Sequence, residues 1–277
     1  MARPVTVLDK ATVLDALFAQ FDAIGDLVDG LADEQWQAPT SLPGWSVRDV
    51  VAHVIGTESI LQGADTPDAD IDVSTLEHVR NDIGALNERW VRELRDRPAD
   101  QLRQRYRGIT TERRDTLNAM SETDWNAVTA TPAGPDTYGR FMRVRVFDCW
   151  MHEHDIRDAV GQHTQPAGAP AQLALDEMAA SMGFVVGKLG RAPEGSRVSI
   201  VLTGPVGRTI NVAVDGRGQV VDDFGGAEPT ATITLDALLF ARLAGGRTPL
   251  AEHAEAIRYA GDETVGRRVV EHLNYVI

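Results

Sequence analysis

Asp148, His152 and Asp155 constrain this chain more than any other feature of it. Each residue of an α-helix advances by about 100°, so on one helix these three side chains fall within about 60° of one another. Their neighbours Val144, Phe147, Trp150 and Met151 are apolar and read as buried. Carboxylates and imidazoles in a core are costly unless they are paired or bound to a metal. A fold for this sequence must bring partners to the stripe, and a metal site is the strongest reason for it.

Asp148 and His152 are spaced i, i+4, which lets adjacent turns grip one ion. His53 is the strongest candidate for a third ligand. It lies at the margin of an apolar helix face centred on Val47, Val50, Val51, Val54 and Leu61, and the small Gly56 and Thr57 one turn on read as room for a bound molecule. Two histidines and one carboxylate leave positions open for water or substrate, the pattern of a catalytic zinc site. Nitrogen and oxygen donors also suit Fe, Ni or Mn. The spacing alone also fits a satisfied core histidine.

His154 is a rival ligand, but it points about 160° away from His152 on a helix. Asp155 shares the ligand face and is placed to orient His152 or a substrate. Arg157 falls on the opposite face, where Glu153 is its i, i+4 partner. Cys149 reads as a buried structural thiol, since an adjacent carboxylate raises a thiol's pKa. Trp45 and Trp150 read as core or pocket wall. No P-loop, G-x-S-x-G or dinucleotide fingerprint is present.

The chain has 277 residues and 43% hydrophobic content, enough for two domains with sizeable cores. A net charge of −14 with no basic run argues against nucleic-acid binding. The single cysteine fits a reducing cytoplasm, and Met1 to Lys10 lacks a signal-peptide pattern. No apolar run reaches the roughly 20 residues of a membrane span.

Helical periodicity predicts helices over Asp9 to Leu31, Val47 to Gln62, Leu76 to Arg95, Pro98 toward Met120, and Tyr138 to Val160. Ser46 and Asp49 resemble a capping box for the second of these. Thr131 to Asp136 reads as loop. After Gln165–Pro170, read as a linker, come a helix over Ala171 to Leu189 and strands at Arg197–Leu202, Thr209–Val214, Gln219–Asp222 and Ala231–Leu235. Helices then return at Asp236–Leu243, Leu250–Ile257 and Thr264–Tyr275. The expected class is α+β: a four-helix bundle over residues 1–165, then a small α+β domain with an antiparallel sheet over 166–277.

At Leu42 to Val54 and at Asp148 to Arg157 the chain resembles the mycothiol-dependent maleylpyruvate isomerase family. The first stretch matches its L-P-G-W-[ST]-V-R-D-V-V-x-H-[LV] motif, and the second its [ED]-x-x-x-H-x-x-D-[IL]-R motif. The resemblance covers nearly the whole chain. It implies a DinB-like metal-binding bundle followed by a sterol-carrier-like domain. It also implies His53, Asp148 and His152 as ligands of a divalent metal, zinc foremost, with Asp where the founding isomerase has Glu. Leu243-Ala244-Gly245-Gly246-Arg247 resembles the family's leucine-rich helix ending in Gly-Arg, which implies a catalytic role for Arg247 beside Asp155. The implied activity uses mycothiol, for transfer to a small electrophile or for its cis–trans isomerisation. A hydrolase built on the same metal, or a small-molecule or lipid-binding protein without activity, is the alternative.

Overall fold

The computed structural model describes residues 5–276. The chain separates into two compact units between Thr164 and Gln165. The first is helical and the second α+β, so the class is α+β.

In the first unit, α1 (Lys10–Asp29) starts at Asp9, whose carboxylate accepts from Thr12 N at 2.8 Å. It buries Val13, Leu17, Phe21, Ile24 and Val28 along one stripe. α2 (Val47–Leu61) opens on the capping box foreseen in the sequence, with Ser46 N donating to Asp49 Oδ2 at 2.8 Å. α3 (Asp82–Arg95) begins six residues later than the periodicity predicts. Asn81 caps it by accepting from Gly84 N, while Asp72 holds Val73–Thr75 in a separate turn. These side-chain caps satisfy backbone donors that a longer helix would otherwise use.

α4 (Ala99–Ala119) follows Pro98, and a short α5 (Glu122–Trp125) leads into a two-stranded ribbon, β1 (Val128–Thr129) and β2 (Asp136–Thr137). The predicted loop is the connection of that ribbon. α6 (Tyr138–Val160) is capped by Thr137 and closed by the left-handed Gly161. α2 packs on α3, α4 and α6, and α1 packs on α4 and α6. Val144 and Phe147, expected in the core, are half-buried. The buried face of α6 runs instead through Met142, Val146 and Cys149, and carries Arg143 and Arg145 inward with it.

Gly56 has a different use from the one its size suggested. A Cβ there would lie 2.5 Å from both Cβ and Cγ of Trp90, so the space is filled by α3 rather than left for a ligand. Those tryptophan atoms sit next to the backbone and cannot swing aside. Gly56→Ala is expected to destabilise the first unit by about 1–3 kcal/mol through overpacking, read by urea unfolding. A change below about 0.5 kcal/mol, the size of an ordinary surface substitution, would mean that α2 and α3 slide apart freely.

In the second unit the predicted helix over Ala171 to Leu189 is broken. α7 (Gly168–Ala180) ends at Ser181, and α8 (Met182–Phe184) runs into a π-helical turn at Val185–Leu189. Here the helix backbone is pressed against a strand: a Cβ on Gly187 would meet Gly218 N at 2.5 Å, and one on Gly183 would meet Gly218 O at 2.7 Å. Only glycines permit that approach.

The sheet comprises β3 (Arg197–Thr203), β4 (Arg208–Asp215), β5 (Arg217–Val221), β6 (Ala231–Asp236) and β7 (Arg258–Gly261), in the order β5-β4-β3-β6-β7. It is antiparallel except for the central β3–β6 pair, which is parallel. α9 (Ala237–Ala244) is capped by Asp236, and α10 (Glu263–Glu271) by Asp262. The sequence predicted a helix at Leu250–Ile257; two 3₁₀ turns stand there. β7, unforeseen, adds an edge strand whose Tyr259 pairs with Ile233. α10 stops short of Tyr275, because the tail turns back and Tyr275 N donates to Ala244 O at 3.1 Å. Among the described residues no helix is long and apolar enough to cross a membrane.

Candidate metal centre

The angular argument places Asp148, His152 and Asp155 on one face of α6, and the packing of α2 against α6 brings His53 to it. One ligand-type atom from each of His53, Asp148 and His152 lies within 4.8 Å of the others. His53 Nε2 is 3.2 Å from Asp148 Oδ2, and His152 Nε2 is 3.4 Å from Asp148 Oδ1. Both imidazoles are buried, whereas the Asp148 side chain is 28% exposed, so the cluster opens to solvent on the carboxylate's side.

Asp155 accepts on the other side of His152: Oδ2 is 2.9 Å from His152 Nδ1. That contact favours the tautomer with the proton on Nδ1 and directs the Nε2 lone pair at Asp148. A lone pair facing a carboxylate is repulsive unless a proton or a cation lies between them. The exposed Ser41 hydroxyl donates to Asp155 Oδ1 at 3.3 Å and completes this support. His53 Nδ1 is buried without a hydrogen-bond partner. Its ring is instead covered by the Trp45 indole, 5.4 Å away and tilted by 39°.

Electrostatics separate the two imidazoles. Burial lowers the pKa of His53 and outweighs the opposing pull of Asp148, which favours the neutral form that can donate a lone pair. Burial also pushes His152 down, but Asp148 and Asp155 prevail and raise it. Burial pushes Asp148 up, yet Arg145, His152 and His53 together hold it well below the ordinary carboxylate range. Asp148 is therefore the negative charge of the cluster, faced by Arg145 and by both imidazole edges. Two imidazole nitrogens and a carboxylate oxygen, with a carboxylate fixing one ring from behind, form a donor set that fits a divalent ion.

The remaining residues singled out in the sequence have other partners. His154 lies outside it and packs edge-on to Trp150 at 4.8 Å. Arg157 Nε donates to Glu153 Oε1 at 2.7 Å, the i, i+4 pair expected. Cys149 is fully buried, and burial pushes its thiol well up, so it is inert at neutral pH. Arg247 belongs to the second unit, where it follows α9 and its Nη1 donates to Gly245 O at 2.6 Å.

Two arrangements escape sequence reasoning. Trp45 Nε1 donates to the buried Glu88 Oε2 at 3.0 Å, and His78 Nε2 lies 3.1 Å from the same oxygen. This holds the indole against both imidazoles, its ring also 6.4 Å from that of His152. Arg145 donates to Asp148 and carries a further buried ion pair to Glu58. The signal for Arg145 was available, since a residue three before Asp148 on a helix lies within about 60° of it.

Comparison with known proteins agrees with the architecture. Residues 17–157 match the mycothiol maleylpyruvate isomerase N-terminal domain, and residues 172–268 match the MDMPI C-terminal domain. The crystal structure of the mycothiol-dependent maleylpyruvate isomerase is similar over 91% of this chain and 93% of that one, with a TM-score of 0.59 at 17% identity. A histidine-to-alanine mutant of that enzyme gives a TM-score of 0.58 at 15% identity, with the same coverage. Uncharacterized proteins of two Mycobacterium tuberculosis strains, CDC 1551 / Oshkosh and ATCC 25618 / H37Rv, are each 24% identical over 212 residues, covering 73% of this chain and 76% of theirs. With both units matched in order along the sequence, the chain belongs to the mycothiol maleylpyruvate isomerase family.

Proposed function

We propose that this protein is a metal-dependent enzyme that uses a low-molecular-weight thiol, mycothiol, to modify a small electrophilic substrate. The observation that carries the reading is the convergence of His53, Asp148 and His152 from two helices. Family membership, and solved relatives named for mycothiol dependence, support the choice of thiol. A divalent ion on these ligands, zinc in our reading, would supply a thiol of lowered pKa for addition to an electrophilic carbon, ending in transfer or in cis–trans isomerisation.

The chain's own residues have separable tasks in this scheme. His53 and His152 offer neutral nitrogens, and Asp155 holds His152 in the tautomer that exposes Nε2. Trp45 walls the cluster and excludes water from one side of it. Arg247 is assigned, on the resemblance of Leu243 to Arg247 alone, to steadying the negative charge of a substrate or enolate.

The test is turnover of a cis-configured α,β-unsaturated keto acid by metal-loaded protein, with mycothiol, with cysteine and without thiol. Activity is expected only with a thiol, and mycothiol is expected to outperform cysteine because its sugar hydroxyls supply remote binding energy that positions the sulfur. Arg247→Ala is expected to lose about tenfold or more in kcat/KM for anionic substrates, about 1.5–3 kcal/mol for a charged hydrogen bond, with metal content unchanged. Full activity without thiol would overturn the proposal in favour of a hydrolase that activates water on the same ligands. Absence of activity in every arm, together with retention of an apolar ligand by His53→Ala, would favour a binding protein.

A further inference from the structure

Asp148 is engaged from the protein side as well as from the imidazole side. Its Oδ2 accepts a hydrogen bond from Arg145 Nη1, three residues earlier on α6. Arg145 is 3% exposed and is fixed at its other edge, with Nε donating to Glu58 Oε1 on α2 at 2.8 Å. Glu58 is fully buried, and its second oxygen accepts from Arg113 Nε on α4 at 2.9 Å. Arg113–Glu58–Arg145–Asp148 is thus an unbroken chain of alternating charges that crosses three helices and ends at the ligand cluster. A guanidinium clamped at Nε cannot swing, so the direction of Nη1 toward Asp148 is set by the bundle and not by Asp148 itself.

We propose that Arg145 is a positioning residue that keeps one oxygen of Asp148 occupied, so that the carboxylate serves the metal through its other oxygen alone. The inference rests on the reading of His53, Asp148 and His152 as metal ligands. A carboxylate beside a divalent ion can offer one oxygen or both. Two histidines with both oxygens already occupy four positions, so a thiol, water or substrate could join only as a fifth ligand, beyond the usual four of zinc. A charge-assisted hydrogen bond to one oxygen opposes binding through both. The pairing of Glu58 with Arg113 keeps the carboxylate partnered if Arg145 is removed, so the test does not depend on leaving a buried charge alone.

The experiment is cobalt(II) substitution of the full chain, read by the visible ligand-field absorption, which is several-fold stronger for four-coordinate than for five- or six-coordinate ions. Wild type is expected to show the strong four-coordinate band. Arg145→Met is expected to lose most of it while still binding cobalt, and Arg145→Lys, which keeps a cationic donor, to retain it. Should Arg145→Met fail to fold, Glu58→Gln loosens the clamp on Arg145 and is expected to weaken the band in the same direction. Wild type that takes up no cobalt would overturn the metal reading itself. Normal uptake with identical spectra in wild type and in the folded variant would overturn the positioning role and leave the metal reading standing.

Discussion

Replacing His152 by alanine is expected to take bound metal from about one ion per chain to none, whereas His154→Ala keeps it. In the proposed site His152 would supply one of three protein donors, with Nε2 3.4 Å from Asp148 and Nδ1 braced by Asp155 at 2.9 Å. Loss of an outer partner of a ligating histidine typically costs about 10–100-fold in metal affinity, and loss of the ligand itself costs more. Asp155→Asn belongs to the first class and is expected to weaken binding within that range. His154, only two residues from His152, faces Trp150 instead, so its removal costs packing and not coordination. Elemental analysis of protein expressed with ample zinc, followed by chelator competition, gives the comparison. Equal loss in the two histidine variants would show that α6 is wound differently around residue 152. Wild type without metal under those conditions would remove the basis of the proposed activity.

The contrast between those neighbours was legible because it depends on local geometry alone. A helix fixes the angle between residues 148, 152, 154 and 155 whatever packs around it. The Ser46–Asp49 capping box was legible for the same reason, being closed within one turn. What the sequence hid depends on partners distant along the chain. Gly56 reads as small, but only the approach of α3 shows that Trp90 occupies the space. The break in the predicted helix over Ala171 to Leu189 follows from Gly218 on another strand, and β7 exists because β6 has a free edge to pair with. Glu58, Arg113 and Arg145 carry the formal marks of surface residues. They lie inside because each finds its counter-charge on a different helix, and no one-dimensional pattern records that match. The candidate ligands were therefore readable one helix at a time, while the structure that braces them was not.

That brace sets the largest expected effect on stability. Glu58→Ala is expected to cost about 3–5 kcal/mol, because it leaves the buried guanidinium groups of Arg113 and Arg145 without their shared counter-charge. Arg113 is fully buried; it keeps hydrogen bonds to Gln62 Oε1 and the Tyr138 hydroxyl, but both partners are neutral. Glu58→Gln retains oxygen and nitrogen in place of the carboxylate and is expected to cost less, since the geometry survives and only the charge is lost. All five tryptophans lie between Trp36 and Trp150, so their fluorescence reports the helical unit alone during urea unfolding. A loss of that size corresponds to a fall in melting temperature on the order of 10 °C. The same variant frees Arg145 from its clamp, so the four-coordinate cobalt(II) band is expected to weaken even at temperatures where the bundle remains folded. A Glu58→Ala protein within about 1 kcal/mol of wild type would show that water reaches these guanidinium groups, and would remove the premise that the bundle rigidly aims Arg145 at Asp148.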